Sequence, residues 1–194
     1  MSDRSPLEAG RRERDAYYTP DDVAESCVKT IAHRIGKAQI IEPSVGGGAF
    51  LHAVLNAGAW RSNTVACDIN PDAAGLALAG SHHVGDFLTM PQPHDVAPLP
   101  VWVVGNPPYG QAMEHVEHAL SLAMPERKPQ GGVAFLLRLA FVESEARRSF
   151  WRQWPVTELH ILSKRPSFTG GKTDSCAYAF FVWHAGDRQP VGWI

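Results

Sequence analysis

The feature that most constrains the fold is an alternation. Short apolar runs, each ended by glycine or proline, are followed by stretches with helical spacing. Residues 38–42, 64–68, 83–84, 101–104, 132–137, 156–162 and 176–183 read as strands. Helices are predicted over about 20–34, 49–57, 112–124 and 144–153, with another opening at Asn70-Pro71. In the first, Thr19 is the expected N-cap and Pro20 the first helical residue, the position where proline is best tolerated. Strands alternating with helices give a mostly parallel sheet with right-handed crossovers and helices on both faces. The last two apolar runs have no helix between them, so a C-terminal antiparallel hairpin is expected on a seven-stranded sheet.

With 44% hydrophobic and 20% charged residues among 194, disorder, collagen and coiled coil are excluded for the whole chain. One domain is expected over 17–194, after a polar arm at 1–16. No apolar run approaches the ~20 residues of a membrane span. The charged N-terminus has no signal-peptide stretch, so the expected address is the cytoplasm. Cys27, Cys67 and Cys176 are odd in number and far apart, which suits small core residues rather than disulfides or a thiolate metal site. Charge is uneven: residues 1–125 hold 8 basic and 14 acidic side chains, residues 126–194 hold 10 and 6.

In such a sheet, ligands bind beyond the carboxyl ends of the strands. Four strand ends here carry unusual residues: Glu42 to Phe50 with its Gly46-Gly47-Gly48 run, Asp68-Ile69, Asp86-Phe87, and Asn106-Pro107-Pro108-Tyr109. The glycine run lacks the final glycine of the dinucleotide fingerprint, since Leu51 stands there. Gly170-Gly171-Lys172-Thr173 mimics the tail of a phosphate loop, but Pro166 stands where glycine is required and a strand follows, so an ATP site is rejected. His115 and His118 sit three apart on a predicted helix. No further ligand pair has zinc spacing, and Glu114 and Glu117 suggest a solvated face, so no metal is assigned.

Asn106 to Tyr109 is the sharpest signal. Two prolines remove two N–H donors and stiffen the turn, leaving carbonyl acceptors beside the Asn106 amide oxygen. Two fixed acceptors suit an exocyclic amine, whose lone pair they help to aim at an electrophile. This is catalysis by positioning, without metal or covalent intermediate. Tyr109 is placed to stack on a base.

These residues together resemble the S-adenosylmethionine-dependent amino-methyltransferases of the DNA adenine-N6 type. Tyr18-Thr19-Pro20 resembles the family's N-terminal cofactor motif, and the motif order resembles the gamma arrangement. The resemblance implies a Rossmann-like methyltransferase fold and a division of roles. Thr19, Glu42, Gly46 and Gly48 would hold the methionine end of the cofactor, with Tyr18, Pro20, Pro43, Phe50 and Asn106 also among the cofactor-binding residues. Asp68, with Ile69 beside it, would bind the ribose, and Asp86 and Phe87 the adenine. Asn106 and the Pro107 carbonyl would grip the amine of a base flipped out of DNA, with Phe168 stacking opposite Tyr109. Arg138, Arg147, Arg148, Arg152, Lys164, Arg165 and Lys172 lie in the half expected to face phosphates.

The expected departure from the family is the lack of a separate target-recognition domain. The loops 89–100, 125–131 and 163–175 and the N-terminal arm are then the candidate readers, implying weak or short sequence preference, or a homodimer or accessory specificity subunit. A ribosomal RNA amino-methyltransferase is the second reading and a protein glutamine methyltransferase the third; cytosine-N4 chemistry and a non-catalytic subunit stay open.

Overall fold

A computed structural model describes residues 18–90, 99–125, 131–168, 174–186 and 192–193. The arm at 1–16, the cores of the three candidate reader loops, and the Gly-Gly-Lys-Thr run with Lys172 lie outside the described residues. The strands are β1 (Gln39–Glu42), β2 (Thr64–Asp68), β3 (Ser81–Val84), β4 (Val101–Gly105), β5 (Gly132–Arg138), β6 (Glu158–Ile161), β7 (Tyr178–His184) and β8 (Gly192–Trp193). They form one sheet in the order β3-β2-β1-β4-β5-β7-β6-β8. β1 to β5 run parallel, and β7 is antiparallel to both β5 and β6. The two-residue β8 extends the expected seven strands by pairing parallel to β6.

Among the described residues, four α-helices cover the sheet: α1 (Asp21–Ile35), α2 (Ala49–Asn56), α3 (Ala112–Ala123) and α4 (Arg148–Gln153). The continuous apolar runs of β5 and β7 are buried on both sides. Ala134, Leu136, Phe180 and Val182 face the core under α1 and α2, whereas Val133, Phe135, Phe181 and Trp183 face the core under α3 and α4. This alternation is what a strand with both faces covered requires. Among the described residues no helix is long and apolar enough to cross a membrane. Cys27 and Cys67 are buried and Cys176 is partly buried; all three are free thiols.

Three local expectations are corrected. α1 starts at Asp21, one residue late: Pro20 is extended (ψ 143°) and no side chain caps the helix. The Thr19 hydroxyl instead accepts a hydrogen bond from the Asn106 amide at 3.0 Å. No α-helix follows Asn70-Pro71; a single 3-10 segment, Ala74–Leu78, stands there. It must press against the glycine turn: the Gly75 N–H donates to the Gly46 carbonyl at 2.9 Å, and a Cβ on Gly75 would lie 2.4 Å from Val45 Cγ2. The helix expected from Ser144 begins as a 3-10 turn (Glu145–Arg147) that the Ser144 hydroxyl caps, and becomes α-helical only at Arg148.

At the Arg34 end of α1, a polar cluster ties helix to sheet. Glu158, 5% exposed, accepts from Arg34 at 2.9 Å, His160 at 3.0 Å and His184 at 2.7 Å. Burial alone would raise the Glu158 carboxyl, but the bonds from His184, His160 and Arg34 outweigh it and hold the pKa below the usual range. The Gly186 N–H donates to His184 Nδ1 at 2.8 Å. The proton of that ring is therefore on Nε2, facing Glu158.

Candidate active site

The chain order along the sheet reverses between β1 and β4, the place where such folds bind ligands. The turns after β1, β2, β3 and β4 meet there around a cleft of about 880 Å³, counted with its open mouth. It is lined by Tyr18, Pro43, Gly46, Asp68, Ile69, Asp86, Phe87 and Asn106 to Tyr109, among others. A second chamber adjoins it, sharing Tyr18, Ser44, Gly46 and Asn106 and adding Thr19, Asp21, Glu42 and Phe50.

The glycine turn is built by conformation and by close approach. Gly46 and Gly48 have φ of +48° and +89°, values that glycine adopts without strain. Tyr18 lies over the turn, and a Cβ on Gly47 would meet its ring at 3.2 Å. Asp68 fixes the turn from β2: one carboxylate oxygen accepts from Gly46 N–H and the other from Asn70 N–H, each at 2.8 Å. Asp86 accepts from Leu88 N–H at 2.9 Å, capping the turn that carries Phe87.

The two chambers are lined by the carboxylates of Asp21, Asp68 and Asp86 and the buried carboxyl of Glu42 and, among the described residues, by no lysine or arginine. Such a lining repels phosphates and suits a ligand with positive charge. Glu42 is 3% exposed, and its Oε2 has no partner among the described residues. Burial, the largest effect, raises its pKa well above the carboxylate range; the Leu51 N–H opposes this and the charge of Asp68 adds to it. Asn106 is the second orphan: Thr19 holds its amide N–H, and its buried Oδ1 has no partner among the described residues.

Residues missed in the sequence complete the lining. His115, expected on a solvated face, is 3% exposed and lines the cleft. Its ring stacks on Phe87 at 5.5 Å, and its Nδ1 lies 3.0 Å from the Gln111 carbonyl, so Nδ1 carries the proton. Burial lowers its pKa against the Gln111 bond and the charges of Asp86 and Glu114. Glutamine and histidine four apart, one turn after the proline turn, were the available signal.

Other expected residues lie elsewhere. Phe50 reaches the second chamber but is mainly core, stacked on Phe180 at 5.9 Å. Pro20 and Gly48 do not line either chamber. Phe168 is 7% exposed, in edge contact with Tyr109 (6.3 Å) and Tyr178 (5.1 Å). Arg138 places its guanidinium 4.8 Å from the centre of the Tyr109 ring. Arg147 donates to the Phe141 and Glu143 carbonyls, Arg148 pairs with Glu145, and Arg152, Lys164 and Arg165 are exposed.

No family model matches the chain, and no curated protein matches it by sequence. Solved structures do. A candidate RNA methyltransferase of Pyrococcus horikoshii superposes with a TM-score of 0.65 at 14% identity, over 88% of each chain. A candidate class I S-adenosylmethionine-dependent methyltransferase of Listeria monocytogenes gives 0.65 at 13% identity, over 92% of this chain and 65% of that one. The methyltransferase subunit of a type I restriction-modification system from Streptococcus thermophilus gives 0.66 at 15% identity. That match covers 97% of this chain but only 50% of the subunit, so the chain spans half of that relative's length. The fold is the Rossmann-like fold of class I S-adenosylmethionine-dependent methyltransferases.

Proposed function

We propose that the protein transfers a methyl group from S-adenosylmethionine to the exocyclic N6 amine of adenine in DNA, acting on a flipped-out base. The observation that carries this reading is Asn106. Its amide is held by Thr19, and its oxygen stands without a partner among the described residues where the two chambers meet.

The lining fits the cofactor, which carries a sulfonium and an ammonium against one carboxylate. The orphaned Glu42 oxygen suits the ammonium, the acidic walls suit the net positive charge, and the glycine turn admits a ligand against its backbone. Asp68 and Ile69 would hold the ribose end, Asp86 and Phe87 the adenine. Bound there, the cofactor supplies an electrophilic methyl group. The chain's own residues do the rest by positioning. The Asn106 oxygen and the Pro107 carbonyl each accept one N–H of the target amine, which turns the nitrogen lone pair out of the base plane. The Pro108 carbonyl accepts from Gln111 N–H at 3.1 Å, and the family resemblance assigns the second acceptor to the Pro107 carbonyl. Tyr109 offers the base a ring to stack on, and burial keeps its hydroxyl protonated.

Sequence reading by a second subunit or a second copy of the chain belongs to the same proposal. The alternative substrate is RNA, favoured by the Pyrococcus neighbour of matching length. Purified protein incubated with methyl-labelled cofactor and either DNA or RNA, followed by mass spectrometry of the digested nucleosides, decides between them. N6-methyladenine in DNA, absent with Asn106→Ala, is the expected result. Methylation of RNA alone would move the assignment to the second reading.

A further inference from the structure

α3 turns a buried side of Ala112, Val116 and Ala119 inward, and His115 stands among them. A histidine so placed costs stability unless its ring nitrogens find partners. One does: Nδ1 donates to the Gln111 carbonyl at 3.0 Å, which leaves an unshared electron pair on Nε2. Nε2 makes no hydrogen bond among the described residues, and it is not sealed in as the Nε2 of His118 is. His118 meets Phe87 edge-on at 4.8 Å and lines neither chamber. His115 instead stacks on Phe87 at 5.5 Å and lines the cleft. The cleft therefore holds an acceptor on a side chain only 3% exposed, and burial favours the neutral ring. We propose that His115 binds the cofactor's purine: its Nε2 accepts an N–H of the 6-amino group and makes the site select a 6-amino purine over a 6-oxo one.

The inference rests on the cofactor assigned in the proposed function and is indifferent to whether the methyl acceptor is DNA or RNA. An amine carries two N–H groups, and the cleft offers them two acceptors on two different elements. Asp86, after β3, spends one carboxylate oxygen on Leu88 N–H at 2.9 Å and keeps the other for a ligand. His115, on α3, supplies the second. The ring is fixed before any ligand arrives: the Gln111 bond sets its tautomer, and the Phe87 stack sets its plane. A 6-oxo purine would turn an oxygen lone pair toward the lone pair of Nε2. A site built around a donor rejects such an analogue because its buried acceptor is left unmet.

S-adenosylhomocysteine and S-inosylhomocysteine differ in the purine 6-substituent and in the proton on N1. Each is titrated by calorimetry into the wild type and into His115→Phe, at about pH 8, where the imidazole is neutral. The wild type should prefer the amino form. His115→Phe keeps a ring on Phe87 and should lower that preference about 5- to 150-fold, the usual cost of an unmet buried hydrogen bond. A merely structural role would weaken both ligands together; an unchanged ratio overturns the inference and leaves the methyltransferase reading standing. Thermal melting shows whether the variant is folded. Should it not fold, nitrogen NMR of the histidine-labelled wild type decides. The Nε2 signal of the Nδ1-protonated ring should move with the amino ligand and not with the oxo ligand, and equal movement with both, or none, overturns the assignment. If the wild type binds neither homocysteine derivative, the proposed cofactor itself fails and takes this inference with it.

Discussion

Replacing Glu42 with glutamine should make the free protein more stable and its grip on the cofactor weaker. Glu42 ends β1 at 3% exposure with one oxygen unpartnered, and no cation lines the chamber around it among the described residues. Its carboxyl is therefore raised far above its unfolded value. The stability tied to its protonated form is full below the ordinary carboxylate range and is lost as pH rises through the raised, folded value. Glutamine has nearly the same shape and no charge to bury. Removing an unsatisfied buried carboxyl should stabilise the fold by about 1–3 kcal/mol at neutral pH and above, or roughly 2–12 °C in Tm for a domain of this size. The cofactor should respond in the opposite sense. An ammonium bound beside Glu42 ionises it, so binding releases a proton and tightens as pH rises. Losing that charge-assisted bond, about 1.5–3 kcal/mol, weakens S-adenosylhomocysteine binding about 10- to 150-fold. Urea unfolding between pH 6 and 9, with titration calorimetry in two buffers of different ionisation enthalpy, measures both effects. A variant that binds as tightly as the wild type, or whose stability still falls with pH as the wild type's does, would refute the assignment of Glu42 as the ammonium partner.

Asn106→Ala should lower the methyl-transfer rate about 10²–10³-fold, the usual cost of removing one preorganised polar group, while S-adenosylhomocysteine affinity stays within a few-fold; single-turnover kinetics checks the first and calorimetry the second. Gly75→Ala forces a Cβ to within 2.4 Å of Val45 and 2.9 Å of the Gly48 backbone, and urea melts should record a loss of about 1–3 kcal/mol from overpacking. His115 is held neutral in the fold, so the wild type should lose stability as pH falls from 6.5 toward its lowered folded pKa; His115→Phe keeps the stack on Phe87 and should flatten that part of the profile. Glu158→Ala strands Arg34 and two histidines at the end of α1; with Arg34 partly solvated, chemical denaturation should show a loss of about 1–3 kcal/mol.

The parallel sheet and its hairpin were legible because strands and helices carry different periods, and β5 and β7 announced two-sided burial by continuous apolar runs. The turn Asn106–Tyr109 was legible because proline and asparagine mean something specific at a strand end. What escaped notice depends on partners distant in sequence. Thr19 looked like a helix cap, a local task, but its hydroxyl serves an amide 87 positions away. Residues 70–78 look helical by composition, yet the segment must fit under Val45 and Gly48, and that packing overrides propensity. His115 was misjudged because its neighbours Glu114 and Glu117 are charged. One helical step turns 115 onto the buried side with Ala112 and Ala119, while the acids remain outside. The contact between the Arg138 guanidinium and the Tyr109 ring escaped notice for the same reason, since it joins the ends of two different strands.

β1 and β4 are paired directly, with Ile41 opposite Val103. One carries the turn that would cradle the methyl donor, the other the turn that would hold the acceptor. Their separation is inherited from the roughly 4.8 Å spacing of a hydrogen-bonded ladder, not from loop length. Loops hung on the far strands β6 and β8 can therefore diverge, lengthen or be exchanged without disturbing the distance over which a methyl group would travel. Such a scaffold can change what it recognises while its two central turns keep their spacing.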